Sequence, residues 1–374
     1  MKKITLVTMQ LKTPGGIERF VTTLATMFSD EYQVEIVANY GKPADSLAFP
    51  MPENVKLTFL TPKQPQEISM KRLITNLKWH KIPAELKRRH HINHTRNQAF
   101  KSYFSHLSTD YIITDRAFYS SLVSKYYHGS AKKIATDHNY HQNNLKYINE
   151  LLSSIIGFDA LVVSTEELRS FYQSKTSVKC YYIPNALNFI PTRKSSLSAN
   201  NIVSVGRLVP EKDFSLLIET MSIIHSKNPK VHLTIIGDGS EKQTLKSLIS
   251  SKKLGSCVTL TGWLSQDQIA KYYYDSSLFV MTSKTEAFGL VLTEAMSYGL
   301  PCIAFARASG ARAQLNNKNG FLIQDANATK MARAIISAID DKNNLKLLQN
   351  NINQEIKEKY DKKVIKREWQ KLLN

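Results

Sequence analysis

Short apolar runs alternate with amphipathic stretches along almost the whole chain. The first run, Ile4–Met9, ends at a glycine turn, after which Ile17, Val21, Leu24 and Phe28 recur at helical spacing. Strand and helix patterns that alternate in this way are typical of α/β folds built on parallel sheets. The pattern therefore predicts an α/β protein that opens with a strand, a glycine turn and a helix.

Further apolar runs predict two sets of strands. In the first half of the chain they lie at Val34–Ala38, Val55–Leu60, Tyr111–Thr114, Lys133–Thr136, Ala160–Ser164 and Tyr181–Ile183. In the second half they lie at Ile202–Val205, Val231–Ile236, Val258–Thr261, Leu278–Thr282 and Cys302–Phe305. Residues 189–201, between the two sets, are rich in Pro, Ser, Asn and basic side chains, which indicates a linker. The 374 residues are enough for two domains, which we place at 1–190 and 198–358.

Composition and charge narrow the class of protein. The three cysteines lie in or beside apolar runs, which favours reduced, buried thiols in a cytosolic protein over a disulfide framework. No apolar run approaches the roughly 20 residues that cross a bilayer, so we expect a soluble or peripheral protein. No Cys/His cluster has the spacing of a zinc site. The net charge of +19 favours an anionic partner, which is nucleic acid, anionic lipid or a phosphorylated substrate.

Residues 284–301 form the most informative segment of the chain. Glu286 lies in a predicted turn beside Phe288 and Gly289, and Glu294 lies in the helical run that follows. An apolar strand precedes the turn, and the ligands of parallel sheets bind where the strands end. The pattern therefore predicts that Glu286 belongs to a site, with Glu294 one or two helical turns behind it.

This segment resembles the Glu-x7-Glu motif of the family 4 glycosyltransferases, which reads Glu-x-Phe-Gly-x-x-x-x-Glu-Ala-Met-x-x-Gly-x-Pro. The matching residues are Glu286, Phe288, Gly289, Glu294, Ala295, Met296, Gly299 and Pro301. The resemblance implies the GT-B fold, in which two Rossmann-like domains face each other across a cleft. It also implies that a C-terminal helix, at about 360–374 in this chain, crosses back to the N-terminal domain. The implied activity is a retaining transfer from a nucleotide sugar, with UDP preferred on family frequency and no metal cofactor.

The resemblance assigns separate roles to the two acidic residues. Glu294 would accept hydrogen bonds from the ribose diol of the donor, as acidic residues do in other nucleotide-binding folds. Glu286 would hold the donor sugar and face the leaving phosphate, together with nearby backbone amides. Those amides belong to Phe288, Gly289 and Leu290. The alternative interpretation is a surface helix that carries two solvated carboxylates.

Two cations follow the first strand of the second set. Gly206 and Arg207 come directly after Val205, and Lys212 lies five residues past Arg207. Arg207 and Lys212 can converge on one diphosphate at the end of the strand, where fixed cations stabilise the charge that grows on a departing diphosphate. The family has a similar Gly-Arg-Leu sequence with this lysine, and the chain lacks the metal-binding Asp-x-Asp signature of the other main glycosyltransferase fold. An exposed basic turn is the alternative.

Glycines complete the predicted donor site. Gly15 and Gly16 join the first strand to the first helix, where backbone amides can approach a ligand and the helix N-terminus favours phosphate. A tight turn is the alternative, although the family has a Gly-Gly pair here beside the donor diphosphate. Gly237 ends a strand of the second set, and Gly262 with Trp263 ends another. By resemblance these residues lie on the nucleotide side of the site.

His138 follows the predicted strand Lys133–Thr136. The family often has a histidine at this strand end that touches the donor sugar, so the resemblance makes His138 a catalytic candidate. A lone histidine is also compatible with a surface or packing role, and His141 is close enough to take the same position. Asp137 is a further polar candidate, and Arg312 follows a later strand with no assigned role.

Residues 71–106 are the most basic part of the first half. The cations that we predict to form a membrane or acceptor surface are Lys78, Lys81, Lys87, Arg88, Arg89, Arg96 and Lys101. Large apolar groups come from Trp79, Phe100, Tyr103 and Phe104. A basic amphipathic surface with aromatic side chains suits an anionic membrane, although a solvated basic face is the alternative. We therefore expect a cytoplasmic enzyme, peripheral at the inner face of the cell membrane, whose acceptor is a lipid-linked saccharide or a teichoic or capsular-type polymer precursor.

Two other functions are compatible with the sequence. Nucleotide-sugar 2-epimerases share the GT-B fold but lack the full Glu-Ala-Phe-Gly string, and product analysis without an acceptor would distinguish them. A basic nucleic-acid-binding protein on a Rossmann-like scaffold is the non-enzymatic alternative. No recognised nucleic-acid module accompanies the charge, so we expect no nucleic-acid partner.

Overall fold

The computed structural model describes residues 1–62 and 79–374, and two parallel sheets organise this part of the chain. The seven strands of the first sheet are β1 Lys3–Thr8, β2 Gln33–Tyr40, β3 Lys56–Thr61, β4 Tyr111–Thr114, β5 Lys132–Asp137, β6 Ala160–Val163 and β7 Lys179–Tyr182. The six strands of the second sheet are β8 Asn201–Val205, β9 His232–Ile236, β10 Val258–Gly262, β11 Leu278–Met281, β12 Cys302–Phe305 and β13 Gly320–Ile323. The predicted α/β architecture with parallel sheets is confirmed.

Helices connect the strands of both sheets. In the first half they are α1 Gly16–Phe28, α2 Ile82–Ser105, α3 Ala117–Tyr126, α4 Leu145–Ser154 and α5 Glu166–Gln173. In the second half they are α6 Phe214–Lys227, α7 Lys242–Ser251, α8 Gln266–Tyr274, α9 Leu290–Ser297, α10 Ser309–Gln314, α11 Ala328–Asp340, α12 Lys342–Glu355 and α13 Lys362–Leu373. Among the described helices, none combines the length and the apolar character that crossing a membrane requires.

Each sheet reverses its strand order once. The first sheet runs β3-β2-β1-β4-β5-β6-β7, and the second runs β10-β9-β8-β11-β12-β13. Every residue of β4, β6, β11 and β12 is buried, because parallel strands covered by helices on both faces have no solvent side. This explains why their sequences are continuous apolar runs. The reversals lie between β1 and β4 and between β8 and β11, where such sheets bind their ligands.

The strand β13 Gly320–Ile323 is absent from the sequence predictions, although the other strands lie close to their predicted positions. It follows an asparagine-rich turn and lies at the edge of the second sheet, with three of its four residues only partly buried. A Cβ atom at Gly320 would clash with the carbonyl oxygen of Cys302 in the neighbouring strand. The local sequence therefore resembles a loop, and pairing with β12 makes it a strand.

The described chain separates into two compact units. The first comprises residues 1–163, 169–182 and 370–374, and the second comprises residues 164–168 and 183–369. The end of α13 is tied to the first unit, where Lys132 Nζ donates to the carbonyl oxygen of Leu372 at 2.5 Å and Gln370 Nε2 donates to Glu31 at 2.8 Å. The C-terminus is therefore part of the first unit in space, although it follows the second in sequence.

Candidate active site

In the second unit, the predicted donor residues surround the reversal between β8 and β11. Gly206 and Arg207 follow β8, and Lys212 ends a short 3₁₀ turn just beyond them. Glu286 follows β11, the strand that pairs with β8. Ligands of doubly wound sheets bind outside the carboxyl ends of the strands at this kind of reversal. The fold thus brings the predicted cations and the first acidic residue to one edge of one sheet.

Glycines allow three loops at this edge to pack backbone against backbone. Gly206 donates to the carbonyl oxygen of Ile236 at 3.0 Å, and Gly237 donates to that of Gly262 at 2.9 Å. A Cβ atom at Gly237 would clash with the carbonyl oxygen of Gly206, and one at Gly239 would clash with that of Leu208. Residues 237 and 239 therefore lie too close to neighbouring backbone for a side chain, whereas a Cβ atom at Gly206 would meet only side-chain atoms at 3.5–3.6 Å.

The central interaction of the site is an ion pair between Lys212 and Glu286. Lys212 Nζ contacts Glu286 Oε1, which also accepts a hydrogen bond from Ser283 Oγ at 2.9 Å. The two charged side chains are 19% and 15% exposed, so the pair is largely withdrawn from water but still reachable. A desolvated ion pair adds little net stability, because removing the charges from water costs about as much as their attraction returns. What the ion pair provides is a cation in a fixed position, where an anionic ligand can bind.

This ion pair is held in place by two residues that the sequence predictions missed, Arg307 and Asp213. Arg307 Nη2 lies 2.7 Å from Asp213 Oδ2 and donates to the carbonyl oxygen of Thr282 at 2.5 Å. Thr282 Oγ1 in turn donates to the carbonyl oxygen of Lys212 at 3.0 Å. Asp213 adopts a left-handed conformation with φ of 52°. One arginine thus ties the loop that carries Lys212 to the loop that carries Glu286.

Helix α10 fixes the turn after Glu286 from the other side. Gly310 donates to the carbonyl oxygen of Glu286 at 2.9 Å, and a Cβ atom at Gly310 would clash with the carbonyl group of Phe288. The buried Gln314 donates through Nε2 to the same Phe288 oxygen. Gly289 then adopts φ of +83° and caps the N-terminus of α9, which begins at Leu290. These contacts set the path of the turn and of the amides beside it.

The remaining donor candidates of the second unit differ in exposure. Arg207 is exposed, and its side chain makes no hydrogen bond with any part of the chain that the structure describes. Trp263 is 63% exposed. Glu294 is half-buried on α9, which begins at Leu290. Arg312, which had no predicted role, forms a bidentate ion pair with Glu167 at 2.6 and 2.8 Å. Arg207 and Trp263 therefore present free polar and aromatic surface beside the braced pair.

In the first unit, polar side chains meet at the reversal between β1 and β4. Thr8 Oγ1 donates to Asp115 Oδ2 at 2.6 Å, and Arg116 Nε lies 3.7 Å from Asp115 Oδ1. Burial raises the pKa of Asp115 to about 7, against the opposing effects of Arg116 and Thr8. Gly15 and Gly16 end the β1 loop and begin α1, as predicted, and Gly15 has extended backbone with φ of −161°. The sequence predictions did not include Asp115 and Arg116, although two charged residues directly after a buried strand are a pattern that indicates a polar site at the strand end.

His138 lies at the carboxyl end of β5, beside the same edge of the sheet. Its Nε2 is 2.9 Å from Thr136 Oγ1, and its ring centroid is 4.2 Å from that of Phe20. Burial, assisted by the charge of Arg116, lowers the pKa of His138 to about 3. The side chain keeps part of its surface exposed. His138 is therefore a neutral, reachable imidazole.

His141 is a packing residue by contrast. Its ring stacks on that of Phe171 with 3.8 Å between centroids, and its Nδ1 accepts a hydrogen bond from the backbone amide of Asn143. It is 5% exposed. Of these two candidate histidines, only His138 has ring surface that a ligand could reach.

Asp137 organises the loop around His138. Its buried carboxylate accepts hydrogen bonds from Tyr147 Oη and, at 3.1 Å, from Tyr172 Oη. Burial raises the pKa of Asp137 to about 6, although these hydrogen bonds act in the opposite direction. With both tyrosines bound to it, this carboxylate serves the packing of the loop rather than a ligand.

The structure describes only part of the predicted membrane surface. Its residues 71–78, including Lys78, lie outside the described residues. Lys81, Lys87 and Lys101 are exposed on or beside α2, and Trp79 is 58% exposed. The prediction that Phe100 and Phe104 contribute to this surface is wrong.

Those two rings face the interior because they lie on the side of α2 that packs on the sheet. Phe100 and Phe104 are 0% and 1% exposed and stack on each other. Arg88 and Arg89 both bind the buried Glu85 and hold its pKa at about 2. Arg96 lies over the ring of Phe118, 4.7 Å from its centroid. Three of the predicted surface arginines are thus already engaged within the chain.

Within residues 1–62 and 79–374, no three His, Cys, Asp or Glu side chains are grouped so that they could hold a metal ion. The expectation of a metal-independent site stays a prediction.

Comparison with known proteins agrees with this geometry. Residues 190–359 match the family model of the glycosyl transferases group 1. An uncharacterized glycosyltransferase of Haemophilus influenzae is 29% identical over 218 residues, which cover 58% of this chain and 61% of that protein. The poly(ribitol-phosphate) alpha-N-acetylglucosaminyltransferase of Staphylococcus aureus is 30% identical over 259 residues, which cover 66% of this chain and 52% of that protein. The chain thus spans less than two thirds of the length of each of these relatives.

A solved structure extends the fold comparison over the whole chain. A variant of Staphylococcus aureus TarM, crystallised with fondaparinux, α-GlcNAc-glycerol and UDP, superposes with a TM-score of 0.80. The match covers 100% of both chains at 19% identity. Two Rossmann-like units with parallel sheets are the shared architecture. The chain therefore has the GT-B fold, and its residues 190–359 match the family model of the glycosyl transferases group 1.

Proposed function

We propose that the chain is a retaining glycosyltransferase that moves a sugar from UDP-sugar to a hydroxyl group of a cell-surface polymer precursor. The observation that carries the proposal is the braced Lys212–Glu286 pair at the strand reversal of a unit that matches the group 1 glycosyl transferases. The S. aureus relative, named for transfer of N-acetylglucosamine to poly(ribitol-phosphate), supports a polyol-phosphate or saccharide acceptor.

The chemistry follows from where charge develops. When the bond between the anomeric carbon and the diphosphate breaks, negative charge grows on the leaving phosphate. Lys212 and Arg207 would stabilise that charge, so no metal ion is required in the proposal. The acceptor oxygen bonds to the anomeric carbon on the same face, and its proton passes to the leaving phosphate oxygen. This keeps the anomeric configuration and balances the proton.

Other residues would bind the donor. Glu294 would accept hydrogen bonds from the ribose diol, and Trp263 would contact the base. Glu286 exchanges its contact with Lys212 for the sugar when the diphosphate arrives.

The donor can be tested by thermal unfolding with UDP-glucose, UDP-N-acetylglucosamine, UDP, GDP-mannose and no ligand. A ligand that binds only the folded state at about 100 times its Kd stabilises it by about 2.7 kcal/mol. Turnover of the best binder with a polyol-phosphate acceptor, with and without EDTA, then tests transfer and metal independence. Stabilisation by no nucleotide sugar would overturn the proposal, and an inverted product anomer would overturn its retaining mechanism.

We also propose that the exposed lysines of α2 hold the enzyme on an anionic membrane. Lys87 and Lys101 are exposed, whereas Arg88 and Arg89 are paired with Glu85. A free cation near an anionic leaflet contributes about 1 kcal/mol. Replacing Lys87 and Lys101 with Ser should therefore weaken binding to phosphatidylglycerol vesicles more than replacing Arg88 and Arg89. Equal binding of the native chain to neutral and anionic vesicles would refute the membrane proposal.

A further inference from the structure

In the second unit, the cation of Lys212 is paired with an acid of the same site. Lys212 Nζ contacts Glu286 Oε1, and that oxygen also accepts a hydrogen bond at 2.9 Å from Oγ of the buried Ser283. A diphosphate, like a carboxylate, accepts charge-assisted hydrogen bonds from lysine. A diphosphate that binds Lys212 therefore has to displace the Glu286 carboxylate or share the ammonium group with it.

The backbone holds both partners of this ion pair in place. Thr282 Oγ1 donates to the carbonyl oxygen of Lys212 at 3.0 Å, and the amide of Gly310 donates to that of Glu286 at 2.9 Å. The side chains can change partner while the backbone keeps the carboxylate within reach of the ammonium group. A tethered competitor of this kind acts at a fixed effective concentration, which does not depend on how much ligand is present.

Two neighbouring cations already face an acid of their own. Arg307 Nη2 lies 2.7 Å from Asp213 Oδ2, and Lys284 Nζ lies 4.0 Å from Oδ1 of the same carboxylate. Their charge is therefore partly neutralised before any ligand binds. Competition between Glu286 and a ligand for Lys212 should for this reason have a direct effect on the affinity of this edge for a phosphate.

A fixed cation by itself favours the product of the proposed transfer over its substrate. UDP ends in a phosphate monoester, which near neutral pH carries about one more negative charge than the diphosphate diester of a UDP-sugar. The attraction to lysine grows with that charge. Without a competitor, Lys212 would therefore retain UDP after the sugar has left.

We propose that Glu286 competes with the diphosphate for Lys212, and that this competition weakens the binding of UDP more than the binding of a UDP-sugar. With the donor bound, the hydroxyl groups of the sugar give the Glu286 carboxylate hydrogen-bond partners in place of Lys212. UDP offers no such groups, so the carboxylate returns to the lysine and the ion pair assists release of the product. This role rests on the proposed function and adds a step that frees the site of UDP.

The competition can be tested by calorimetric titration with UDP. Glu286→Gln keeps the shape of the side chain and removes its charge, so its Kd should be about 10-fold lower than that of the native chain, which corresponds to about 1.4 kcal/mol. Glu286→Asp, which keeps the charge on a shorter side chain, should show a smaller gain in affinity and carries the test if Glu286→Gln does not fold.

The matched control is Glu211→Gln. It removes an exposed acid directly next to Lys212 in the sequence. Because water and salt screen an exposed charge, its Kd should stay within about twofold of native. An unchanged Kd in Glu286→Gln, or a gain no larger than that of Glu211→Gln, would overturn the competition.

A double-mutant cycle tests whether the gain depends on Lys212. In the Lys212→Met background, Glu286→Gln should not improve the binding of UDP, because the cation for which the two anions compete is gone. A gain as large as in the presence of Lys212 would mean that Glu286 acts only through its general negative charge, and would overturn the inference. Pyrophosphate is titrated in parallel as a probe of the diphosphate alone.

The role in product release is tested with UDP-glucose or UDP-N-acetylglucosamine, whichever stabilises the native chain more, in the absence of an acceptor. Glu286→Gln should bind UDP about 10-fold more tightly but the UDP-sugar less than about threefold more tightly, because the sugar loses its charged partner. Equal gains for the two ligands would overturn this role. If the native chain binds neither UDP nor a UDP-sugar, the proposed function fails, whereas pyrophosphate binding by the same variants still decides whether Glu286 competes for Lys212.

Discussion

The polar edges of the two sheets use opposite electrostatics. In the second unit, Lys212 and Glu286 are charged, partly exposed and braced by Arg307. In the first unit, burial suppresses charge, since the pKa of Asp115 is raised to about 7 and that of His138 is lowered to about 3.

The two edges therefore suit different kinds of ligand group. A diphosphate needs fixed positive charge, which the second unit supplies in a site still open to ligand. A sugar is neutral and needs directed hydrogen bonds, which are strongest where neutral groups are withdrawn from water. The same type of sheet thus offers a partly exposed ion pair at one edge and a buried carboxyl group and imidazole with suppressed charge at the other. Four substitutions test this contrast.

The largest effect is expected from Lys212→Met. In the proposed transfer Lys212 stabilises the leaving phosphate, and loss of one such preorganised group typically lowers kcat by about 10²–10³-fold. Steady-state kinetics with the best UDP-sugar would measure the loss. Lys330→Met, which removes an exposed lysine paired with Asp325, is the matched control and should keep native activity. Activity within about twofold of native in Lys212→Met would contradict the charged role of the second edge.

Gly310→Ala should destabilise the turn that carries Glu286. The added methyl group meets the carbonyl group of Phe288, so the turn that carries Glu286 must shift, and overpacking of this kind typically costs about 1–3 kcal/mol. Urea unfolding would measure the loss. Gly255→Ala adds the same methyl group where the described chain leaves no atom within 4 Å, and its stability should be close to native. Equal stabilities of the two variants would show that the turn is not held as described.

Asp115→Asn tests whether charge is a liability at the first edge. The folded-state pKa of Asp115 is raised, so the stability linked to its protonated form is present at low pH and lost as pH rises from about 4 to about 7. The Asn variant avoids that loss and should exceed native stability by about 4 kcal/mol at pH 8, since each of the roughly three pKa units is worth about 1.4 kcal/mol, with no difference near pH 4. Urea unfolding at both pH values measures this. The exposed Asp30→Asn is the control, and a variant less stable than native at pH 8 would be the contrary result.

Tyr172→Phe should have the smallest effect. It deletes one hydrogen bond to the buried carboxylate of Asp137, at a cost of about 1 kcal/mol. Tyr126→Phe, whose hydroxyl group has no hydrogen bond within the described residues, should be neutral. Urea unfolding near pH 7 compares the two. No difference between them would mean that the carboxylate does not depend on this tyrosine.

Much of the second unit could be predicted from sequence because its functional residues are local to strand ends. The run from Glu286 to Glu294 follows its strand directly, and Gly206 and Arg207 follow theirs. Arg307 and Gln314 were missed because their partners lie on other loops: a backbone oxygen and the Asp213 carboxylate for Arg307, and a backbone oxygen for Gln314. The first unit was harder still, since Thr8 and Asp115 are 107 residues apart and meet only through the pairing of β1 with β4.

The basic segment is a second case, in which the sequence does not show which surface cations are already paired. A count of charges treats Arg88 and Arg89 as equivalent to Lys87. In the structure both arginines are paired with Glu85, whereas Lys87 is exposed. The sequence likewise assigns Phe100 to the surface, whereas the structure buries it.

Local order and composition are enough to predict the alternation of strands and helices, the acidic motif with its glycines and cations, and the positive charge. Which charges are paired, which carboxyl groups are buried, and which of the two histidines keeps part of its ring exposed follow from the tertiary structure. Ion pairs, burial and pKa values depend on partners within a few ångströms, and the fold brings those partners from distant parts of the chain.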